Sequence, residues 1–349
     1  MPRLALVMIV RDEARCIARC LESVKPHVDE MIVLDTGSTD DTVAIARAIG
    51  ARVESFAWVD DFSAARNASL DHSDADWNLI LDADNWLTGG FEALSPEALA
   101  GSPFVGEVRI ENQFEGSSGP ETNVNWIPRL LPRGVRYAGA IHEQPISPLP
   151  RRRLALTLGH DGYEGEQRAR KAGRNERLLR AELEHTPDDA YVLFQLGSEL
   201  QAAERWAEAS DLLLRALALS SQADPWRHAL VVRSLFTLKS AGRHDEALQL
   251  TEAEFEQWPG SPDFFFAVGD LYLDWGLHNP DRAMKEALPL VEYCWLRCLE
   301  IGEQPDLEGS VRGRGSWLAA HNLAVFYGTL RVADKAAAYQ ALADEMRGG

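Results

Sequence analysis

The hydrophobic period changes once along this chain, and that change constrains the fold more than any single motif. Up to about residue 150, short apolar runs of β type alternate with helical segments, the pattern of an α/β domain. Residues 4–10, 30–34, 51–56 and 77–81 read as successive strands. Between the first two, Ile17, Cys20, Leu21 and Val24 recur at helical spacing. After the second, Gly37 suits a tight turn, and Ser38 or Thr39 caps a helix over 41–49 that stops at Gly50. This succession builds a parallel sheet whose ligands lie at the carboxyl ends of its strands. Residues 104–110, 124–131, 135–137 and 153–158 read as a second, mixed part of the same sheet.

From residue 166 onward, helical pairs replace the strands. Leu196, Gly197, Leu200, Ala209, Leu213 and Ala216 match the small-and-large spacing of a tetratricopeptide hairpin, in which small residues let two helices approach closely. A second copy carries Leu238, Ala247 and Pro259. A third pairs residues 265–275 with 290–301 across an insertion around His278, Asn279 and Pro280, and Leu323, Tyr327, Ala336 and Ala343 mark a fourth. Adjacent copies are what a solenoid needs to bury a core. The reading is two domains, a mixed-sheet α/β domain over 1–165 and an all-α helical array over 166–349, which also suits a length of 349 residues.

The chain carries 54 acidic against 35 basic residues, a formal net charge of −19, which opposes binding to nucleic-acid backbones and anionic membranes. Phosphorylated ligands must then be held by local cations, and a carboxylate-bound divalent metal is one. The four cysteines fall as Cys16 with Cys20 and Cys294 with Cys298, each pair inside helical sequence and without companion His or Cys ligands, so they read as buried thiols. The N-terminal apolar run is too short for a signal peptide and meets Arg11, Asp12 and Glu13 at once, and no apolar stretch approaches 18 residues. A cytoplasmic protein is expected; homo-oligomerisation is left open.

The chemistry concentrates in Trp77-Asn78-Leu79-Ile80-Leu81-Asp82-Ala83-Asp84-Asn85, an apolar strand ending in two carboxylates one residue apart. Side chains two apart on an extended chain share a side, so the pair can hold Mg2+ or Mn2+ and, through it, a diphosphate.

Together with Met8-Ile9-Val10-Arg11-Asp12-Glu13, with Ile32-Val33-Leu34-Asp35-Thr36-Gly37-Ser38-Thr39-Asp40-Asp41-Thr42 and with Asp60-Asp61-Phe62-Ser63-Ala64-Ala65-Arg66-Asn67, this run resembles family-two glycosyltransferases of the GT-A fold. Combined with tetratricopeptide repeats, it is similar to a bacterial subgroup that includes peptide and protein glycosyltransferases. The resemblance covers about the first half of the chain. It implies that Val10, Arg11, Glu13 and Asp35 surround the nucleoside, although Asp35 can equally cap the turn after it. It implies that Arg66 lies near the nucleotide or diphosphate, that Asp82 faces the ribose or metal side with Ala83 beside the nucleotide sugar, and that Asp84 is the direct metal ligand. Asn85 departs from the pattern, since many relatives carry an acidic residue there.

Transfer with inversion needs a carboxylate or imidazole to take the acceptor proton. An Ile-His-Glu motif places the candidates at His142 and Glu143, with Glu143 preferred. The resemblance also implies His160 as a further metal ligand, which tilts the choice toward Mn2+. Lys171, with Arg174 and Asn175, resembles the subgroup's basic segment at the domain junction, which implies closing on the diphosphate, although a solvated helix face accounts for the same residues.

The expected activity is that of a metal-dependent hexosyltransferase using a UDP-sugar, with nothing in the residues choosing glucose over N-acetylglucosamine. A peptide or protein acceptor bound partly by the helical array is favoured over a lipopolysaccharide-core or other glycolipid acceptor. A non-catalytic scaffold is the alternative of another class, opposed by the joint presence of Asp82, Asp84, His142, Glu143 and His160. A nucleotidyltransferase should show a Gly-rich basic loop near the first strand, and the sequence has none.

Overall fold

The computed structural model describes residues 1–116, 119–160 and 166–348, with side chains described outside 112–121, 161–172 and 348–349. Two compact units result, Met1–Gln113 with Asn125–Glu182, and Phe114–Val124 with Leu183–Gly349.

The first unit is organised around β1 (Leu4–Val10), which is apolar along its whole length because both faces of the sheet are covered. Leu4, Leu6 and Met8 enter one core with Ile17 and Leu21 of α1 (Ile17–Val24). Ala5 and Val7 enter the opposite core with Leu70 and Tyr137. β2 (Glu30–Asp35) lies parallel to β1, α2 (Thr42–Ile49) follows it, and β3 (Arg52–Ser55) runs parallel on its outer side. α3 (Phe62–Asp71) begins at Asp61, whose carboxylate accepts from Ala64 N–H at 2.9 Å, an N-cap that fixes where the helix starts. β4 (Trp77–Ile80) then lies parallel to β1 on its other side.

β5 (Asn85–Gly89), the short helix α4 (Pro96–Leu99), β6 (Val105–Gly116) and β7 (Gly119–Pro132) follow. β8 (Arg136–Ala138) and β9 (Gln144–Ile146) form a small antiparallel pair, and β10 (Arg151–His160) returns to the main sheet, whose order is β3-β2-β1-β4-β7-β6-β10-β5. This is the expected α/β sheet with a mixed second half. β1, β2 and β4 are parallel, so their carboxyl ends emerge at one edge. β7 runs antiparallel to β4 with Leu130 opposite Leu79, which brings Arg129 to that same edge. β10 is antiparallel to β5 with His160 opposite Asn85.

α5 (Glu166–His185) opens the helical period, yet most of it belongs to the first unit: Arg177 is ion-paired with Asp60 at 3.0 Å and Arg174 lies 4.9 Å from the Phe62 ring centre. The change of period and the division between compact units are therefore different places.

The second unit stacks helical hairpins as the repeat pattern predicts: α6 (Ala190–Ala202) with α7 (Trp206–Leu219), then α8 (Arg227–Ser240) with α9 (His244–Glu254). A Cβ on Gly197 would stand 2.7 Å from Leu213 Cδ2, so the close helix approach expected of that glycine is real. α10 (Pro262–His278) is followed, where the insertion was expected, by the one-turn α11 (Pro280–Arg282) and a π turn, and then by its partner α12 (Leu288–Ile301). β11 (Ser310–Val311) pairs with Val124 and Asn123, and α13 (Trp317–Thr329) with α14 (Ala333–Gly348) closes the array.

Candidate active site

At the carboxyl edge of β2, β1 and β4 the loops are stitched together by side chains. Asp12 adopts φ +54°, and its carboxylate accepts from Thr39 N–H at 2.6 Å while its own N–H donates to Ser38 Oγ at 2.9 Å. Glu13 N–H donates to Thr42 Oγ1 at 2.7 Å, and Glu13 accepts from the Cys16 thiol at 3.2 Å. The Val10 carbonyl accepts from both the N–H and the hydroxyl of Thr36. Asp35 accepts from the N–H groups of Gly37 and Ser38, so it does cap the turn after β2. Arg11 is exposed at the rim.

Four charged side chains form an alternating chain beside these loops. Glu143 accepts from Arg66 Nε, Arg66 Nη2 donates to Asp82 at 2.7 Å, and Asp82 accepts on its other oxygen from Arg129. Arg66 is 5% exposed and packs 5.7 Å from the Tyr137 ring centre. Burial alone would lower its pKa, but Asp82 and Glu143 reverse that and hold it above the ordinary arginine value. Its Nη1 is buried without a hydrogen-bond partner among the described residues, leaving a donor for an anion at this edge. Tyr137 has its own pKa raised, by burial first.

Glu143 reaches Arg66 because the chain between β8 and β9 turns sharply, with Gly139 at φ +99° and His142 at φ +50°. Asn67 of α3 ties this segment down, exchanging hydrogen bonds with the Tyr137 backbone at 2.8 and 2.9 Å, and Phe62 N–H donates to the Ala140 carbonyl at 2.8 Å.

A second cluster lies one step along the same turn. β4 stops at Ile80, and residues 81–84 turn, closed by Asn85 N–H donating to the Asp82 carbonyl at 3.0 Å. The extended-chain argument for pairing Asp82 with Asp84 therefore fails: a turn sends the two carboxylates to different partners, Asp82 to two arginines. Asp84, 6% exposed, lies 3.8 Å from His160 Nδ1, with Asn85 between them, its amide 3.4 Å from Asp84 and 3.0 Å from His160.

An oxygen and an imidazole nitrogen each about 2.1 Å from one ion lie roughly 3 to 4.2 Å apart, so Asp84 and His160 fit a shared divalent cation. The Asn85 amide nitrogen can only donate, which leaves His160 Nδ1 as the acceptor, the lone pair a metal would use. Asn85 Oδ1 is buried without a hydrogen-bond partner, so the cluster also holds an acceptor with unspent capacity.

The structure thus brings Arg66, Asp82 and Glu143 into one constellation and Asp84 and His160 into another. Ala83 is buried between them in sequence, His142 stands beside Glu143, and the side chain of Lys171 lies outside the described residues. Arg129 falls inside the strand expected over 124–131 and was not singled out by the sequence as a site residue. Its signal was a charged residue directly before the apolar pair Leu130-Leu131.

Residues 5–143 match the family model described as glycosyl transferase family 2. A TPR repeat-containing protein of Synechococcus elongatus is 36% identical over 232 residues, 59% of this chain and 56% of that protein. The SPbeta prophage-derived glycosyltransferase SunS of Bacillus subtilis is 29% identical over 277 residues, 73% of this chain and 63% of that protein. The chain thus spans less than two thirds of the length of either relative. Among solved structures, glucosyl-3-phosphoglycerate synthase of Mycobacterium tuberculosis in complex with Mn2+, UDP and glucosyl-3-phosphoglycerate is 29% identical, covering 31% of this chain and 43% of that one with a TM-score of 0.26.

Proposed function

From the premise that this chain carries a glycosyl transferase family 2 domain at its N terminus, we propose that it moves a hexose from a UDP-sugar to a peptide or protein acceptor, with inversion and with the help of Mn2+ or Mg2+. The observation that carries this reading is the meeting, at one sheet edge, of an acid–base candidate, a buried arginine with an unused donor, and an aspartate–histidine pair spaced for a cation.

Asp84 and His160 would hold the ion, which when bound offsets the charge growing on the departing diphosphate. Arg66 directs Nη1 to the same anion, and Asp82 fixes Arg66 and Arg129 from between them, so neither guanidinium must reorganise as charge develops. Glu143 has one oxygen engaged by Arg66, and the other takes the acceptor proton. The acceptor atom bonds to the anomeric carbon as the bond to the nucleoside diphosphate breaks on the opposite face. Val10 and Asp35, the last residues of β1 and β2, border the nucleoside with Arg11 and Glu13 of the loop after β1, and Asp35 shapes the loop that follows it through the turn it caps.

In the helical unit, a groove of about 540 Å³ is lined by Leu248, Phe255, Tyr272 and Tyr293 with Glu252 and Glu256 among its polar members. An apolar floor with acidic members suits a peptide carrying both apolar and basic side chains, which supports a polypeptide acceptor.

The test is a screen of nucleotide sugars with Mn2+ and Mg2+, read by intact mass of candidate acceptor peptides. Asp84→Ala should abolish metal-dependent UDP binding. Glu143→Ala should keep that binding and lose transfer. Normal turnover by either variant removes the role assigned to that residue.

A further inference from the structure

Far along the chain from the glycosyl-transfer machinery, the insertion that lengthens the third hairpin gathers a second set of metal-ligating side chains. Asp274 and His278 stand one helical turn apart on α10, and His244 opens α9. His244 Nε2 lies 2.6 Å from Asp274 Oδ2, His278 Nδ1 lies 3.6 Å from the same oxygen, and one ligand atom from each residue falls within 4.8 Å of the other two. Among the described residues no other group of three such side chains meets that criterion. We infer that His244, Asp274 and His278 form a divalent transition-metal site, of the class Zn2+ represents, that staples α9 to α10.

Ligand chemistry selects this class of ion. Two imidazoles and one carboxylate suit borderline metals such as Zn2+ and disfavour Ca2+ or Mg2+, which prefer all-oxygen shells. Three protein ligands leave a fourth tetrahedral position for water. Around a tetrahedral ion, ligand atoms sit about 3.3 Å apart. The separations of 2.6 and 3.6 Å bracket that value, and the three atoms reach one centre when the exposed His278 ring leaves the Asp274 carbonyl, to which its Nδ1 donates at 2.9 Å, and takes the tautomer protonated on Nε2.

Without metal, the short contact between His244 and Asp274 is a hydrogen bond, its proton occupying the place the ion takes. Binding moves that proton to the other ring nitrogen of His244, Nδ1, which frees the Nε2 lone pair for the ion. Among the described residues, the arginines next along the chain from His244 and His278 are engaged elsewhere: Arg243 with Asp211 and Glu246, and Arg282 with Glu286. The thiols of the same unit do not compete either, since Cys294 and Cys298 are buried and burial drives both pKa values up, Cys294 to about 12.

What the ion adds is a link at one end of a helix pair. α9 packs more extensively on α8 than on α10, so its N-terminal end is the side a cross-link would secure. α9 supplies Leu248 and α10 supplies Tyr272 to the groove described above, and the staple would fix the spacing of two of its walls. The inference concerns metal binding alone and holds whichever acceptor the groove takes.

The experiment is isothermal titration of Zn2+ into the full chain carrying Asp84→Ala, which removes the other candidate metal centre. One Zn2+ per chain is expected, with an upward shift in the melting temperature of the helical unit. Adding His278→Ala, whose parent side chain is 64% exposed and so removable without unfolding, should weaken binding by at least about 10-fold, the loss caused by removing even an outer-shell partner of a metal. His244→Ala should do the same, and both should abolish the thermal shift. Absence of Zn2+ binding in the Asp84→Ala chain, or binding unchanged by both histidine substitutions, overturns the inference.

Discussion

Arg66 is the residue on which the candidate active site turns, because one guanidinium serves two carboxylates of unequal burial. Asp82 has a side chain 37% exposed, so water already screens that pair and little of its Coulomb energy survives. Glu143 is 10% exposed and Arg66 6%, so removing the arginine strands a buried carboxylate. Arg66→Ala should therefore cost about 3 kcal/mol, the lower end for breaking a buried pair, read as a fall in the urea midpoint of the first unit. Arg66→Lys should retain most of that stability and still bind UDP weakly, since an ammonium cannot present the fork that bridges Asp82 and Glu143. Equal stability of Arg66→Ala and the parent chain would show that the pair carries no energy. The thiols give a second expectation at this scale. Burial, then the Glu13 hydrogen bond, pushes the Cys16 pKa up to about 12, and burial pushes Cys20 well up. Unfolded, each thiol titrates near its ordinary value, so the folded chain holds these protons more tightly. That stability is complete below about pH 8.5 and drains away as pH rises toward 12, at most about 1.4 kcal/mol per pH unit for each thiol. Urea midpoints between pH 8 and 11 should fall more steeply for the parent chain than for a Cys16→Ala, Cys20→Ala variant; parallel slopes would deny the thiols this role.

At the scale of elements, a glycine sets the position of the proposed metal ligand His160. Gly159 faces Trp86 across the β5–β10 ladder, and a Cβ there would come within 2.4 Å of the indole, whose other contact is the Arg19 guanidinium at 3.6 Å from the ring centre. The indole cannot yield freely, so Gly159→Ala should cost about 1–3 kcal/mol of overpacking and displace the adjacent His160. Its expected signature is weaker Mn2+-dependent UDP binding with every proposed ligand intact; unchanged affinity would mean that β10 absorbs the methyl elsewhere. The same ladder shows why some elements were legible in the sequence and others were not. β1, β2 and β4 are sandwiched between two cores, which forces continuous apolar runs that any periodicity reading detects. β5, Asn85-Trp86-Leu87-Thr88-Gly89, ends the sheet order and pairs only with β10, so nothing required it to look like a strand. α3 buries Ser63, Ala65, Arg66, Ser69 and Leu70, a face of small and polar residues with little hydrophobic period. That face carries the site's central arginine, so the local pattern was least readable where chemistry replaced apolar packing. Motif order placed Arg66, Asp82, Asp84, Glu143 and His160 as candidates. The resemblance separated Asp82 from Asp84, but the pairing of Asp82 with Arg66 and Arg129 was not legible, because it depends on a turn after Ile80 that no two-residue periodicity encodes.

For the whole molecule, sequence order and compactness diverge. The tip of the β6–β7 hairpin, Phe114–Val124, is counted with the helices, and the chain passes between the two units at three points. Within the second unit that tip provides the pairing partners of β11: Ser310 lies opposite Val124 and Val311 opposite Asn123, and Arg312 N–H donates to the Thr122 carbonyl at 2.8 Å. β11 is anchored from its other side by buried Asp263, which accepts from Val311 N–H at 2.9 Å and pairs with Arg314 at 3.1 Å. A strand of two residues has no stability of its own, so it depends on partners far away in sequence. Replacing residues 114–124 with a short Gly-Ser turn should leave the first unit's core intact, because that segment belongs to the other compact unit. The same replacement frees the β11 backbone and should lower the melting transition of the helical unit by a few degrees, while metal-dependent UDP binding persists. Two transitions resolved by calorimetry would test this directly. If only the first transition moved, the hairpin would have to be reassigned to the α/β unit, and β11 would owe its place to Asp263 alone.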